Sequence, residues 1–376
     1  MKPLYFAAAL LATGFFNSAL AEPKKPELLT PELLVDLPNT FNSPASSDMD
    51  KEGNVYITSP NFHNDALIKI GEMQTPAAPR IGMLDKNNNF SNWYTFTKQD
   101  MAPSTGKIAP MGIAFGPDGN AYVADMQMWF DGSYKSRILR INVVNGKAVS
   151  TDVVVTGLLF PNAVVFKGDD LFISETVLKL EGTKQLSGVY KVGMSELNDQ
   201  KPAHIKPFLS TQNHDSHLFD TFASNATLKF ASNATLKFGA NGLTFDGEGN
   251  LYTSIMEDGS VIKTTLNERN EKVKTELFAK GLVATDGLKW DNRTNKIYIT
   301  DLFANAIYSI DMQGKLELLA QNGNTTGLHG ELDAPSELIV RGKDIIIMNF
   351  DAVFDSPNMV NKKADNPHTL SVIKLK

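Results

Sequence analysis

The sequence predicts an all-β chain folded as a six-bladed β-propeller with four-stranded blades, closed by pairing of its N- and C-terminal strands. Three observations predict it. A hairpin signature recurs six times, no helical periodicity competes with it, and a β-rich segment at each end is free to complete a sheet. The 376 residues would by length alone allow two or three domains. The repeat resolves them instead into one ring spanning 22–376, because a single small sheet cannot bury both of its faces and must stack on its neighbours.

Each unit runs from a small or polar residue through an alternating strand into a Gly/Asp/Asn turn and a second β-rich run. The clearest copies are Met111-Gly112-Ile113-Ala114-Phe115 with the turn Gly116 to Asn120, and Asn241-Gly242-Leu243-Thr244-Phe245 with the turn Asp246 to Asn250. Others begin near Pro44, at Asn162, at Asp286 and at Ser336. Anchors at Ala45, Met111, Asn162, Asn241, Asp286 and Ser336 fall 66, 51, 79, 45 and 50 residues apart, a spacing suited to four-stranded blades with two long insertions. One insertion is expected at about 195–238, between blades three and four. A third strand follows each hairpin, at Ala66–Ile70, Arg137–Ile141, Gly188–Val192, Ser260–Thr264, Ala306–Ile310 and Leu370–Lys374. Glu32–Leu37 is expected to pair with Ser371–Leu375 as the clasp. The octet Ala223–Phe230 is repeated at once as Ala231–Phe238, which reads as a tolerated surface duplication.

The first twenty-one residues read as an address rather than as structure. Lys2 gives the positive start, Leu4 to Phe16 an apolar stretch too short to span a bilayer, and Ala19-Leu20-Ala21 a small-x-small cleavage pattern before Glu22. The expectation is a bacterial-type signal peptide over 1–21 and an exported, periplasmic or secreted protein with no membrane insertion after cleavage. A formal net charge of -6 argues against nucleic acid as a partner, since phosphate recognition needs clustered positive charge. The absence of Cys removes disulfides, thiolate metal sites and cysteine nucleophiles. G-x-S-x-G, H-E-x-x-H and G-x-x-x-x-G-K are absent as well, so serine-hydrolase, zincin and P-loop chemistry lose support.

The positive signal lies at the start of each inner strand, where residues distant in sequence converge on one end of the central channel. Asn162, Asn241 and Asp286 then face a common point, as a hard-oxygen set suited to Ca²⁺ or Mg²⁺ or as mutually hydrogen-bonded strand ends. The loops after the second strands rim the same opening and bring His63, Trp129, Phe130, Glu175, Glu257, Phe303 and Asp351 toward a small-molecule substrate, with Trp129 and Phe130 as an apolar wall.

Pro161-Asn162-Ala163, Ala240-Asn241-Gly242-Leu243 and Thr285-Asp286-Gly287-Leu288, each leading into an Asp/Gly/Asn turn, resemble the senescence-marker-protein/gluconolactonase family over nearly the whole chain after the signal segment. That resemblance implies a divalent cation, usually Ca²⁺, held by Asn162, Asn241 and Asp286. It also implies hydrolysis of lactones or related esters, with the cation polarising the carbonyl and Asp286 serving as ligand and base. The family's additional Glu ligand precedes the first inner strand. One register places Ala45 there and another Asn42, so neither supplies the second carboxylate. A non-catalytic propeller that binds a ligand or protein at the same mouth is the alternative reading.

Overall fold

The computed structural model describes residues 27–179, 185–224 and 238–375. The expected signal peptide and most of the duplicated octets lie outside the described residues. Six antiparallel sheets follow one another in chain order. Their inner strands are Ser46–Met49, Pro110–Phe115, Pro161–Lys167, Ala240–Phe245, Thr285–Asp291 and Pro335–Arg341. Each inner strand contacts that of the next blade, and the sixth contacts the first, so the ring is closed. Blade six takes three strands from the C-terminal end of the chain and its outer strand, Glu32–Asp36, from the N-terminal end, with Glu32 opposite Val372 and Asp36 opposite Thr369. The clasp removes the edge that an open ring of sheets would expose. Among the described residues no helix is long and apolar enough to cross a membrane.

The turns explain why the hairpins form where they do. Asp50, Asp118 and Asp246 each accept backbone N–H groups from the turn that follows, and each also accepts the hydroxyl of a tyrosine on the second strand: Tyr56, Tyr122 or Tyr252, all at 3.0 Å. A short carboxylate satisfies the turn backbone while the tyrosine ring fills the core beside it. Gly53, Gly119 and Gly249 take positive φ in these turns.

Glycine has a second use at the axis. A Cβ at Gly112 would lie 2.2 Å from the carbonyl oxygen of Asn162, and one at Gly242 2.6 Å from that of Asp286. These residues let adjacent inner strands approach closely. Gly112→Ala is therefore expected to cost about 1–3 kcal/mol through forced backbone movement. Urea unfolding checks it, and a midpoint equal to that of the parent would show slack between adjacent blades that the close approach denies.

Two segments depart from the sequence reading. Ala66–Ile70 lies in and just past an α-helix, Asn64–Lys69, and the third strand of blade one is Arg80–Leu84 instead. Asn64 and Asp65 favour a helix start, and a short apolar run carries no periodicity that separates helix from strand. The 195–238 segment is also less of an insertion than its spacing suggests. Ala203–His204 adds a parallel strand to blade two beside Val155 and Thr156, and Leu218–Ser224 is the outer strand of blade three.

Candidate functional site

Five of the six inner strands slip register at their first residues, between Pro110 and Ile113, Pro161 and Val164, Ala240 and Leu243, Thr285 and Leu288, and Pro335 and Glu337. Such bulges re-aim side chains, and here the residues within them are Met111, Asn162, Asn241, Asp286 and Ser336. Hydroxyls on the second strands secure the irregular backbone. Ser254 Oγ accepts the Gly242 N–H and donates to the carbonyl of Asp286 in the next blade. Thr58 reaches the carbonyl of Met111 in the same way, and Thr300 that of Ser336.

All six anchors, Ala45, Met111, Asn162, Asn241, Asp286 and Ser336, line one pocket at the channel mouth. Its wall is a collar of rings in successive contact. Phe350 meets Phe62 at 6.3 Å, Phe62 meets Trp129 at 4.8 Å, Trp129 meets Phe160 at 5.7 Å, and Phe160 meets Phe238 at 5.3 Å. Phe238 continues to Phe354 at 6.5 Å. Met256 and Leu302 complete the apolar lining. The polar floor is Asn162, Asn241, Asp286 and Ser336.

Asp286 dominates the electrostatics of the floor. Burial, reinforced by the negative charge of Glu337, holds its carboxyl well above the usual range, while a hydrogen bond from Asn241 pulls the other way. Asn241 Nδ2 also lies 3.5 Å from Met256 Sδ as a donor. Ser336 Oγ is held at 3.0 Å from the carbonyls of Pro44 and Ala45. Below the floor Glu337 accepts from Ser46 Oγ, and burial pushes it up to about 6 against the opposing charge of Lys289.

The structure brings Asn162, Asn241, Asp286 and Trp129 to the pocket and leaves the other expected residues elsewhere. Asn42 is fully buried in the loop before blade one, bonded through its side chain to Asn39, Asn64 and the His63 backbone. Ala45 takes the ring position, because the blade-one strand begins only at Ser46. Phe130 points to solvent, 41% exposed. Phe303 is buried behind the wall against Phe354, and Leu302 faces the pocket. His63 stands outside the pocket lining, its Nδ1 2.7 Å from His368 Nε2, and burial pushes it down to about 4.

Glu175 and Glu257 serve the scaffold. Glu175 Oε1 accepts the N–H groups of Leu159 and Phe160, and Glu257 Oε1 that of Phe238. Asp125, Asp301 and Asn349 do the same for Ala109, for Val283 and Ala284, and for Asp333. An acid or amide at the end of the second strand, or in blade four two residues past it, thus fastens the approach to the inner strand in five blades. Burial pushes the Glu175 carboxyl from 4.5 up to about 8. Its folded-state pKa exceeds its unfolded one, so its stabilising contribution is complete below the unfolded value and lost as pH rises through the folded value. Glu175→Gln keeps the acceptor and removes the titration. The fall in melting temperature between pH 4.5 and 8 is expected to be shallower in this variant, and an unchanged profile would show that Glu175 is ionised throughout.

The donor set at the mouth does not fit a firmly held hard cation. Such an ion is held firmly by several carboxyl groups, with carbonyls and water completing its six to eight oxygens. The six positions here offer the side-chain oxygens of Asn162, Asn241, Asp286 and Ser336, only one of which belongs to a carboxyl group, with a methyl at Ala45 and a thioether at Met111. Groups whose arrangement could hold a metal lie in and beside blade six instead: Asp333, Asp351 and Asp365, and His63, Asp351 and His368, within 4.8 Å in each group.

No family model matches the chain, and no curated protein sequence matches it. Its fold is similar to several solved structures. One is provisionally assigned as a gluconolactonase, with TM-score 0.53 and 14% identity over 93% of each chain. A luciferin-regenerating enzyme has TM-score 0.55 and 10% identity over 93% of this chain and 97% of that one. A Thermus thermophilus protein provisionally assigned as a glucose dehydrogenase has TM-score 0.52 and 12% identity, covering 92% and 99%. At this level of identity the likeness establishes the fold alone, and the chain is a six-bladed β-propeller.

Proposed function

We propose that the mouth pocket binds a small, mainly apolar molecule that presents a carbonyl or hydroxyl group to Asn162, Asn241 and Asp286. The convergence of all six inner-strand anchors on one pocket, polar at its floor and aromatic at its wall, carries this reading. An apolar and aromatic wall with a few convergent polar groups is the usual lining of small-molecule sites. Burial and the charge of Glu337 favour the neutral form of Asp286, and a neutral acid beside two amides suits an acceptor group on the ligand.

A panel of aryl esters and lactones, titrated against tryptophan fluorescence and melting temperature, tests the proposal. Trp129→Ala is expected to weaken binding about tenfold, the loss of roughly 1.4 kcal/mol of apolar contact. Asp286→Asn is expected to change which acceptors bind. Indifference of every panel member to both substitutions would remove the pocket reading.

The second reading is metal-dependent hydrolysis of lactones or esters. It is favoured by Asn162, Asn241 and Asp286 sharing one floor, and by the fold shared with the gluconolactonase-like structure. It requires turnover of the same panel that rises with Ca²⁺, stops with chelator and disappears in Asp286→Asn. Binding without turnover leaves the first reading standing. The N-terminal segment supports an exported protein, and the mass of the chain recovered from a bacterial periplasm, starting at Glu22, checks it.

A further inference from the structure

The loop 350–368 joins the last two C-terminal strands of blade six and supplies Phe350 and Phe354 to the pocket wall. Behind that wall it folds over a group of carboxylates. Asp333 precedes the inner strand, Asp351 follows the second strand, and Asp365 lies near the loop's end, with one oxygen of each inside a mutual distance of 4.8 Å. Asp333 and Asp351 are each only 2% exposed. The ion-pair partner of the three is Lys363, 3.3 Å from Asp365 Oδ2, on a side chain that is 70% exposed. His368 approaches Asp351 only to 3.9 Å, and its burial beside His63 favours the neutral ring. Three carboxylates thus share one exposed ammonium group.

A second observation is independent of the charges. Asn361, 1% exposed, lies between two of the carboxylates, its Nδ2 donating to Asp333 Oδ1 and, at 3.1 Å, to Asp351 Oδ1. Its own Oδ1 is buried with no hydrogen-bond partner, and so is Oδ1 of Asp365. An unmade hydrogen bond at a buried oxygen is costly, and such atoms in a native structure call for an ion or water. The amide N–H₂ occupies the place a cation would take between the carboxylates. A half-turn of the amide exchanges nitrogen for oxygen and turns the orphaned atom into a ligand.

We propose that Asp333, Asp351, Asp365 and the side-chain oxygen of Asn361 bind one hard divalent cation, Ca²⁺ before Mg²⁺, which pins the loop 350–368 and with it two rings of the pocket wall. Four side-chain oxygens, three of them from carboxyl groups, form the core of a flexible oxygen shell that water completes. The site is separate from the channel floor and holds whether or not the pocket binds an ester.

Chelator-treated full-length chain, titrated with CaCl₂ by isothermal calorimetry and thermal melting, tests the proposal. The expected result is one Ca²⁺ per chain and a melting temperature that rises with Ca²⁺. Asp365→Asn, at a partly exposed residue, is expected to weaken Ca²⁺ at least tenfold, while Asp286→Asn leaves it unchanged. Lys363→Met, on the surface, removes a competing positive charge and is expected to tighten Ca²⁺ about two- to fivefold, which keeps the proposal falsifiable should Asp365→Asn fold poorly. No Ca²⁺ binding by the parent at millimolar concentration overturns the proposal. So does loss of binding in Asp286→Asn with retention in Asp365→Asn, no tightening in Lys363→Met, or a response to Zn²⁺ alone that requires His63 and His368.

Discussion

Replacing Asp125 by Ala is expected to cost about 3–5 kcal/mol of unfolding free energy, roughly a fifth or more of what a domain typically has. Asp125 closes the second strand of blade two with no exposure. Its Oδ1 accepts the Ala109 N–H at 2.8 Å and Gln127 Nε2 at 2.6 Å, and its Oδ2 accepts Arg137 Nε at 2.7 Å. Arg137 in turn donates to the carbonyl of Asp100. Burial raises the Asp125 carboxyl in spite of the adjacent guanidinium, so desolvation is a real cost that the hydrogen bonds offset only while all of them are made. Removal of Asp125 leaves the Arg137 charge with only a carbonyl, and the Ala109 N–H with no acceptor. Asp125→Leu with Arg137→Met removes both charges and is expected to recover much of the loss. Urea unfolding of the single and double variants checks this, and a single-variant loss below about 1 kcal/mol would mean that water reaches the pair.

The blades were legible because their signals are local. A turn that runs Asp-x-x-Gly-Asn-x-Tyr, as in Asp50 to Tyr56 and Asp246 to Tyr252, specifies its own hydrogen bonds within seven residues. The anchors were legible for the same reason, since counting back from the turn glycine reaches Ala45, Met111 and Asn241. Wall and scaffold residues were not separable one by one, because an acid at the end of a second strand has the same sequence context whether it faces the mouth or fastens the backbone. Comparison between blades carries the missing information. Asp125, Glu175, Asp301 and Asn349 place a side-chain oxygen acceptor at the end of the second strand, and Glu257 places one two residues past it, which marks a role that recurs between blades. Ala45, Met111, Asn162, Asn241, Asp286 and Ser336 differ at one position, which marks a surface facing something asymmetric. Neither the collar of rings nor the carboxylates of blade six carries a local signal of this kind. Phe160 and Phe238 are 78 residues apart in sequence, and Asp333 and Asp365 meet only because a long loop folds back.

Ala45→Glu is expected to give the channel mouth a Ca²⁺ response, where the native donor set is expected to give none. Ala45 lines the pocket, and a carboxylate there would join Asp286 in a pocket already near Glu337. Without a cation the added group lowers the melting temperature, since like charges in a buried site cannot all ionise without cost. With Ca²⁺ the two carboxylates and the amides of Asn162 and Asn241 form a four-residue oxygen set, and saturation at a hundred times Kd returns about 2.7 kcal/mol. The measurement belongs in an Asp365→Asn background, so that the blade-six response does not contribute. In that background the parent mouth is expected to show no shift, Ala45→Glu a rise with Ca²⁺, and Ala45→Glu with Asp286→Asn none. A missing carboxylate then accounts for the silence of the native mouth. If Ala45→Glu is destabilised and Ca²⁺ does not restore it, the anchors surround a space shaped for an organic ligand, and charge alone does not convert it into a metal site.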